Sequence, residues 1–380
     1  MNYKNKIIII TKYTYLIIII LAIFILASCS SKKSENVESI KGKYNSYPIK
    51  SLNKEVFIGV DDHFGKDYLS SIFNIAVGIN DEIIVFDQNA RCFFIIDKNK
   101  NLLKKFGQSG QGPGEFNWNI EFSIGNDGDI YVLDKFNVRM SIFDNNGKLK
   151  NIFRIDKLFY YSLFTVTQKR EIVLNNPSNG YYISVFSDNG KLLKTIGKIL
   201  EINNKIPQYN TELATGLPYY DENQEIYYVF LYHYNYILLF DKNGNLIRKY
   251  DTAQIFPEIK KFLDNPRWIP PEKDTRIRKP SYFSSVTIQN DTFYFCVLDR
   301  KNPDDNTIHT SLKYFLYRTD KDMNITAKYS FLERKIERLP DGRTTTIIDD
   351  QRFAVSRDGN TVYITDKFIC EIWKYNIGLK

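Results

Sequence analysis

Few residues of this chain are equipped for chemistry, and those few are dispersed. The three histidines, His63, His233 and His309, stand far apart in sequence. No His-x-x-x-His or His-x-Asp spacing sets two ligands side by side as a metal site would need. No Gly-x-Ser-x-Gly elbow is present to raise a serine nucleophile. The stretch GQSGQGPGEF, Gly107 to Phe116, lacks the Gly-Lys-Ser/Thr ending and the following helix pattern of a phosphate cradle. What does recur is a polar set. Asp87, Gln88 and Arg91 are followed by Asp134, Lys135, Asn137 and Arg139, with the two aspartates 47 residues apart. Tyr232, His233 and Tyr234 form a further cluster, and so do Asp299 with Arg300 and Asp366 with Lys367. Such a mixture can hold a peptide, a glycan or a small charged ligand. It can equally tie neighbouring elements together, and for Asp87–Arg91 and Asp134–Arg139 an ion-pair lock is the preferred reading.

The elements that carry these residues repeat. AVGINDEIIVFDQNARCFFIIDKNKNLLKKFG, from Ala76, aligns with SIGNDGDIYVLDKFNVRMSIFDNNGKLKNIF, from Ser123. Gly78 and Gly125, Asp87 and Asp134, and Asp97 and Asp144 are each 47 residues apart. A period of this size with short strands is the mark of propeller blades. Within the unit, strand a meets strand b at a tight turn (NDGD), a longer loop (KFNVR) leads to strand c, and a second tight turn (NNGK) leads to strand d. Asn-Gly and Asp-Gly supply the positive φ of two-residue hairpins. The pattern predicts six c strands, ending near Ile96, Phe143, Phe186, Phe240, Tyr317 and Tyr375. Only four residues follow Asn376, so the sixth blade needs its last strand from the region of Tyr47 to Val60. That closure would leave only short, protected edges. The expected fold is all-β: a six-bladed β-propeller of four-stranded antiparallel blades over residues 47–380, with insertions near 198–217 and 252–282. Loops of this length either serve a site or decorate the surface.

GQSGQGPGEF then reads as the crossing from blade 1 to blade 2, where glycines supply unusual backbone angles. Together with DGDIYVLDKFNVRMSIFDNNGKL it resembles the NHL-type repeat, with Asn137 and Arg139 at that repeat's Asn-x-Arg. The whole is similar to the six-bladed propeller lipoproteins of gut-type Gram-negative bacteria, many of unknown function. Blades 1 and 2 carry the sharp motifs. Blades 3 to 5 lack the Arg and the glycine-rich crossing, and blade 6 keeps Asp366 without an Arg. In a propeller the b–c loops and the d–a crossings share one face, usually the binding face. On that expectation the ligand-binding candidates are Gln88, Arg91, Lys135, Asn137, Arg139, Tyr232, His233, Tyr234, Arg300 and Lys367. Some six-bladed relatives are lyases with histidines and a metal around the axis. His233 and His309, both in b–c loops, are the weak candidates for such a metal; no metal or other cofactor is expected.

The N-terminus resembles a bacterial lipoprotein signal. Lysines precede a long apolar run from Tyr13, and Leu26-Ala27-Ser28-Cys29 fits the lipobox. The resemblance implies a signal peptide over 1–28, lipidation at Cys29, and a polar tether over 29–46. Acyl chains on Cys29 would hold the protein on a bilayer. The expected location is the cell envelope, on the outer membrane, facing the periplasm or the exterior. The formal charge is +8, but three of the positives, Lys4, Lys6 and Lys12, lie in the first 28 residues, which contain no acid. No basic block with interleaved aromatics remains, which argues against nucleic acid as a partner. Cys92, Cys296 and Cys370 are an odd set for a disulfide framework. Cys92 and Cys370 begin equivalent strands of neighbouring blades, so they either pair or pack as small hydrophobes. The reading is a lipid-anchored module that binds or scaffolds a protein, peptide or glycan without catalysis. The alternative is a metal-dependent lyase or hydrolase with its site on the axis.

Overall fold

The computed structural model describes residues 47–202, 206, 208–264, 281–299, 311–335, 352–366 and 370–378. Six antiparallel sheets succeed one another along the chain: 72–106, 120–154, 163–198, 216–251, 283–335 and 353–376. In the first five, the strands pair in chain order, a to d; in the sixth, strands a to c pair in order and the outer strand comes from the N-terminal region. The inner strands of blades 1 and 2, 2 and 3, 3 and 4, 5 and 6, and 6 and 1 touch one another. Blades 4 and 5 share a hydrophobic cluster instead, and the ring is complete. The protein is a six-bladed β-propeller.

The strand sequences follow from this geometry. A middle strand has a neighbouring blade on each face, so it reads as a continuous apolar run rather than an alternating one. Ile130–Asp134 and Arg139–Phe143 are buried at every position, whereas the outer strand Leu102–Phe106 is largely exposed. The core is accordingly divided into six hydrophobic clusters, one between each pair of adjacent blades. Between blades 1 and 2, Phe93 packs against Phe106, Phe116 and Phe122 with ring centroids 5.0–5.2 Å apart. Burial of each such ring contributes about 1.5–3 kcal/mol.

The last blade is closed by β2 (Glu55–Ile58), which pairs antiparallel with Glu371–Asn376 through Val56 opposite Trp373. An additional strand, β1 (Ile49–Ser51), lies parallel to the outer strand of blade 5, Ile325–Lys335, and makes that sheet five-stranded. The period-based reading does not contain it, because it pairs outside the repeat.

The c–d turns differ from the expected two-residue hairpins. In blade 2 the loop is one residue longer: Gly147 N–H donates to the carbonyl of Asp144, and Asp144 N–H to that of Lys148. Gly147 has φ 75°, giving a turn followed by a bulge. Asp144 selects this form, since its Oδ1 accepts from the backbone of both Asn146 and Lys148 at 2.9 Å. Asp97 and Asp241 do the same in blades 1 and 4.

Part of each insertion is structural. In the second, α2 (Pro257–Leu263) drives Phe256, Ile259 and Phe262 into the cluster between blades 4 and 5. Its Glu258 is buried and accepts from Tyr317 Oη (2.5 Å) and Lys328 Nζ (2.8 Å). In the first, the preceding helix α1 (Gln208–Leu213) buries Leu213. Asn175 of blade 3 then holds the entry to blade 4, donating to the carbonyl of Ala214 and accepting from Gly216 N–H.

Candidate functional site

The inner strands of all six blades line a cavity of about 420 Å³ on the axis. Strand a starts at the face formed by b–c loops and d–a crossings, here the loop face, and ends at the opposite turn face. At the loop-face end, Glu121 is buried on the inner strand of blade 2. Its Oε1 lies 3.2 Å from Lys135 Nζ and 2.8 Å from Arg352 Nη2, and its Oε2 accepts from Asn74 Nδ2 at 2.9 Å. Lys135 directly follows strand b of blade 2, and Arg352 directly precedes the inner strand of blade 6. The link between Glu121 and Arg352 is the only ion pair among the described residues that joins blades that are not neighbours. Blades 2 and 6 flank blade 1, whose Asn74 binds the same carboxylate, so the cluster joins three successive blades at the inner edge. Asn74, Glu121 and Arg352 occupy equivalent positions in blades 1, 2 and 6, four residues before Gly78, Gly125 and Ser356, each of which opens an a–b turn.

The other polar candidates do different work. Asp87 and Asp134 are fully buried and do not pair with Arg91 and Arg139, contrary to the ion-pair expectation. Asp87 accepts from the backbone of Ser70, Ser71, Asn89 and Ala90. Asp134 accepts from the backbone of Asn117 and Asn137. Arg139 donates to three carbonyls of the crossing: Gln111 at 2.6 Å, Gly112 at 2.9 Å and Glu115 at 2.5 Å. Asn137 Nδ2 donates to the carbonyl of Gly110 at 3.0 Å. The crossing needs these donors because its carbonyls turn inward where no strand can satisfy them. Gly110 is required there: its φ is 155°, and a Cβ would lie 2.0 Å from Glu115 Oε2. That carboxylate is itself bound to Gly112 N–H and Gln108 Nε2.

Arg91 stacks its guanidinium 4.8 Å from the Trp118 ring centroid and donates Nε to the carbonyl of Gln88. Gln88 in turn reaches the carbonyl of Trp118. Tyr232 lines the cavity, while Tyr234 turns away to Tyr236 and Lys249. Burial among these rings lowers the Lys249 pKa. His233 is half-buried, and His63 lies exposed in a small hairpin against Tyr68. Among the described residues no group of three His, Cys, Asp or Glu side chains is placed to hold a metal ion. Cys29, Arg300, His309 and Lys367 lie outside the described residues. Cys92, Cys296 and Cys370 are buried and are not joined to one another by a disulfide.

Sequence reasoning did not single out the exposed aromatics. Six are exposed among the described residues: Tyr68, Trp118, Phe136, Tyr160, Tyr161 and Tyr181. Five of them belong to b–c loops or d–a crossings, or open the strand that follows, and so lie at the loop face. Tyr68 sits in the hairpin beside the outer strand of blade 1, where Asp67 meets Lys105. None lies in an a–b or c–d turn. Phe136, Tyr160 and Tyr161 form a chain of edge-to-face contacts at 5.8 and 5.1 Å.

No protein-family model and no curated protein sequence matches the chain. Solved structures do. A Bacteroides fragilis protein assigned to the exported class is similar over 90% of this chain and 99% of its own, with a TM-score of 0.52 and 10% identity. Streptogramin B lyase covers 86% of this chain and 98% of its own, with a TM-score of 0.49 and 12% identity. An inactive virginiamycin B lyase from Staphylococcus aureus, solved with quinupristin, covers 86% and 100%, at 0.49 and 11%. The likeness is one of fold. At these identities it carries no activity from one chain to another.

Proposed function

We propose that this protein is a lipid-anchored propeller of the cell envelope that binds a protein, peptide or glycan through its loop face, without catalysis. The observation that carries the reading is the one-sided distribution of exposed aromatics. Solvated Trp, Tyr and Phe cost solubility and are retained where they contact something. Here they gather at Trp118, Phe136, Tyr160 and Tyr161, in the b–c loop of blade 2 and the crossings on either side of that blade. The turn face offers Asp-, Asn- and Gly-rich loops instead. No helix among the described residues is long and apolar enough to cross a membrane, and the anchor in this reading is the lipid on Cys29.

The test is a triple variant, Trp118→Ala, Phe136→Ala and Tyr160→Ala. It should unfold at the wild-type temperature, because these side chains are about half exposed, yet lose capture of envelope glycans or proteins by the immobilised domain. Capture that survives the triple variant would remove the loop face from the reading. Stoichiometric metal in the purified protein, lost in a His233→Ala, His309→Ala variant, would replace the reading with the lyase or hydrolase alternative. For the anchor, Cys29→Ala should move the protein from the membrane pellet to the soluble fraction on cell fractionation.

A further inference from the structure

We propose that the loop-face end of the axial cavity is a binding site for a small organic anion, held through a carboxylate or phosphate by Lys135 and Arg352 with Asn74 beside them. In this arrangement Glu121 is the internal anion that the ligand displaces. The proposal gives the binding reading above a ligand class, but it stands on the cavity rather than on the aromatic rim.

Three observations lead there. First, the space has the size of a ligand site: about 420 Å³, within the roughly 300–1,000 Å³ of small-molecule pockets. Second, the end of this space is already built around an anionic oxygen. Two cationic nitrogens converge on one atom, Glu121 Oε1, at 3.2 and 2.8 Å, and an amide N–H covers the other oxygen at 2.9 Å. Charge-assisted donors on a planar carboxylate are the arrangement that recognises this group in a ligand. Third, the cluster is placed where the fold does not ask for it. Among the described residues the other interblade ion pairs join neighbours: Arg170 ties blade 3 to Asp127 and Asp129 of blade 2, Lys321 ties blade 5 to Asp221 of blade 4, and Arg248 ties blade 4 to Asp322 of blade 5. Those bonds brace single interfaces between adjacent blades. The Glu121–Arg352 bond instead joins blades 2 and 6 past the inner strand of blade 1, both residues line the cavity, and Arg352 is about one-fifth exposed. A carboxylate that a side chain delivers to this point can be exchanged for one delivered by a ligand of similar reach.

The experiment is calorimetric titration of the full-length protein with glucuronate, glutarate and inorganic phosphate, with glucose as the neutral control. At least one anion should bind saturably, more weakly as salt rises, while glucose gives no heat. Preference for the two acids or for phosphate identifies which anionic group the site takes. Arg352→Gln should weaken binding by about tenfold or more, as loss of a charge-assisted pair does. Glu121→Gln should tighten it by about tenfold, because the competing carboxylate is gone while the donors stay. A purely structural cluster predicts the opposite: Glu121→Gln only lowers stability and confers no binding. The proposal is overturned if none of the three anions binds the wild type or Glu121→Gln at about 10 mM, a weak limit for specific sites, or if Arg352→Gln binds as well as the wild type. Should either variant fail to fold, the wild-type titration against glucose decides. The Trp118, Phe136 and Tyr160 triple variant should keep anion binding even where capture of a macromolecule is lost, so the two readings fail separately.

Discussion

Arg139 shows how a side chain that reads as a ligand contact can be consumed by architecture. Its guanidinium satisfies three inward carbonyls of the glycine-rich crossing, and it is buried. Replacing it with Ala strands those acceptors, so Arg139→Ala should cost about 3 kcal/mol in urea unfolding. Arg139→Lys should recover less than half, since the three donors of an ammonium radiate from one nitrogen and lack the planar spread of the guanidinium. A loss below about 0.5 kcal/mol, the scale of a surface change, would return Arg139 to the ligand-binding set. Burial also acts on residues of blades 1 and 2. It pushes the Cys92 thiol up to about 11 from 9.0, and the Tyr131 phenol in the core up to about 12 from 10.0. Both groups favour their neutral form when folded. The stability they contribute is therefore complete below the unfolded values and is lost as pH rises through the folded ones. The urea midpoint should stay level to about pH 9 and fall between 9 and 11 as Cys92 begins to ionise in the unfolded chain. Native protein at pH 8 should leave Cys92 unreacted with a thiol reagent that labels it in denaturant. Rapid native labelling would contradict the burial of this side chain.

Closure is the decisive event among the elements. β2 supplies the outer strand of blade 6 from the opposite end of the chain, and Ile58 is 1% exposed in the cluster shared by blades 6 and 1. Ile58→Ala should cost about 2–5 kcal/mol, the range for a buried aliphatic truncated in a rigid core. Deleting 47–58 should remove both β1 and β2, broaden the thermal transition and expose the edge of blade 6 to association. A deletion variant with an unchanged, monomeric transition would mean that the ring does not depend on this strand. The insertions separate at this scale as well. The alternatives of site loop and ornament did not include a third role, which α2 fills: a wedge in the core between blades 4 and 5. Ile255, Ile259, Phe262 and Leu263 are spaced in the sequence as on one face of a short helix, but periodicity does not state which surface receives a helix.

At the scale of the molecule, two properties belong to the ring rather than to any blade. One is the segregation of exposed aromatics to the loop face. The other is the charged cluster at the axis. Both are built from residues that are unremarkable in their own strands: Trp118 in a crossing, Glu121 on an inner strand, Arg352 beside one. Mutating either set should leave the fold in place and change what the protein holds, which far-ultraviolet circular dichroism together with the binding measurements above can establish.

The sequence by itself determined the blade count, the order of the strands, the position of the crossings and the need for an N-terminal closing strand. These are local properties: runs of apolar residues as long as a strand, turns marked by Asp, Asn and Gly, and a 47-residue repeat in the first two blades. Only the tertiary structure decided which polar side chains meet. Asn74 and Glu121 lie 47 residues apart, and Glu121 and Arg352 lie 231 apart. The repeat marks Asn74 and Glu121 as equivalent, but equivalence does not bring side chains into contact. Contact requires the sixth blade to return to the first, and the energy that returns it comes from the apolar faces between blades, not from the polar groups that then meet at their inner edge.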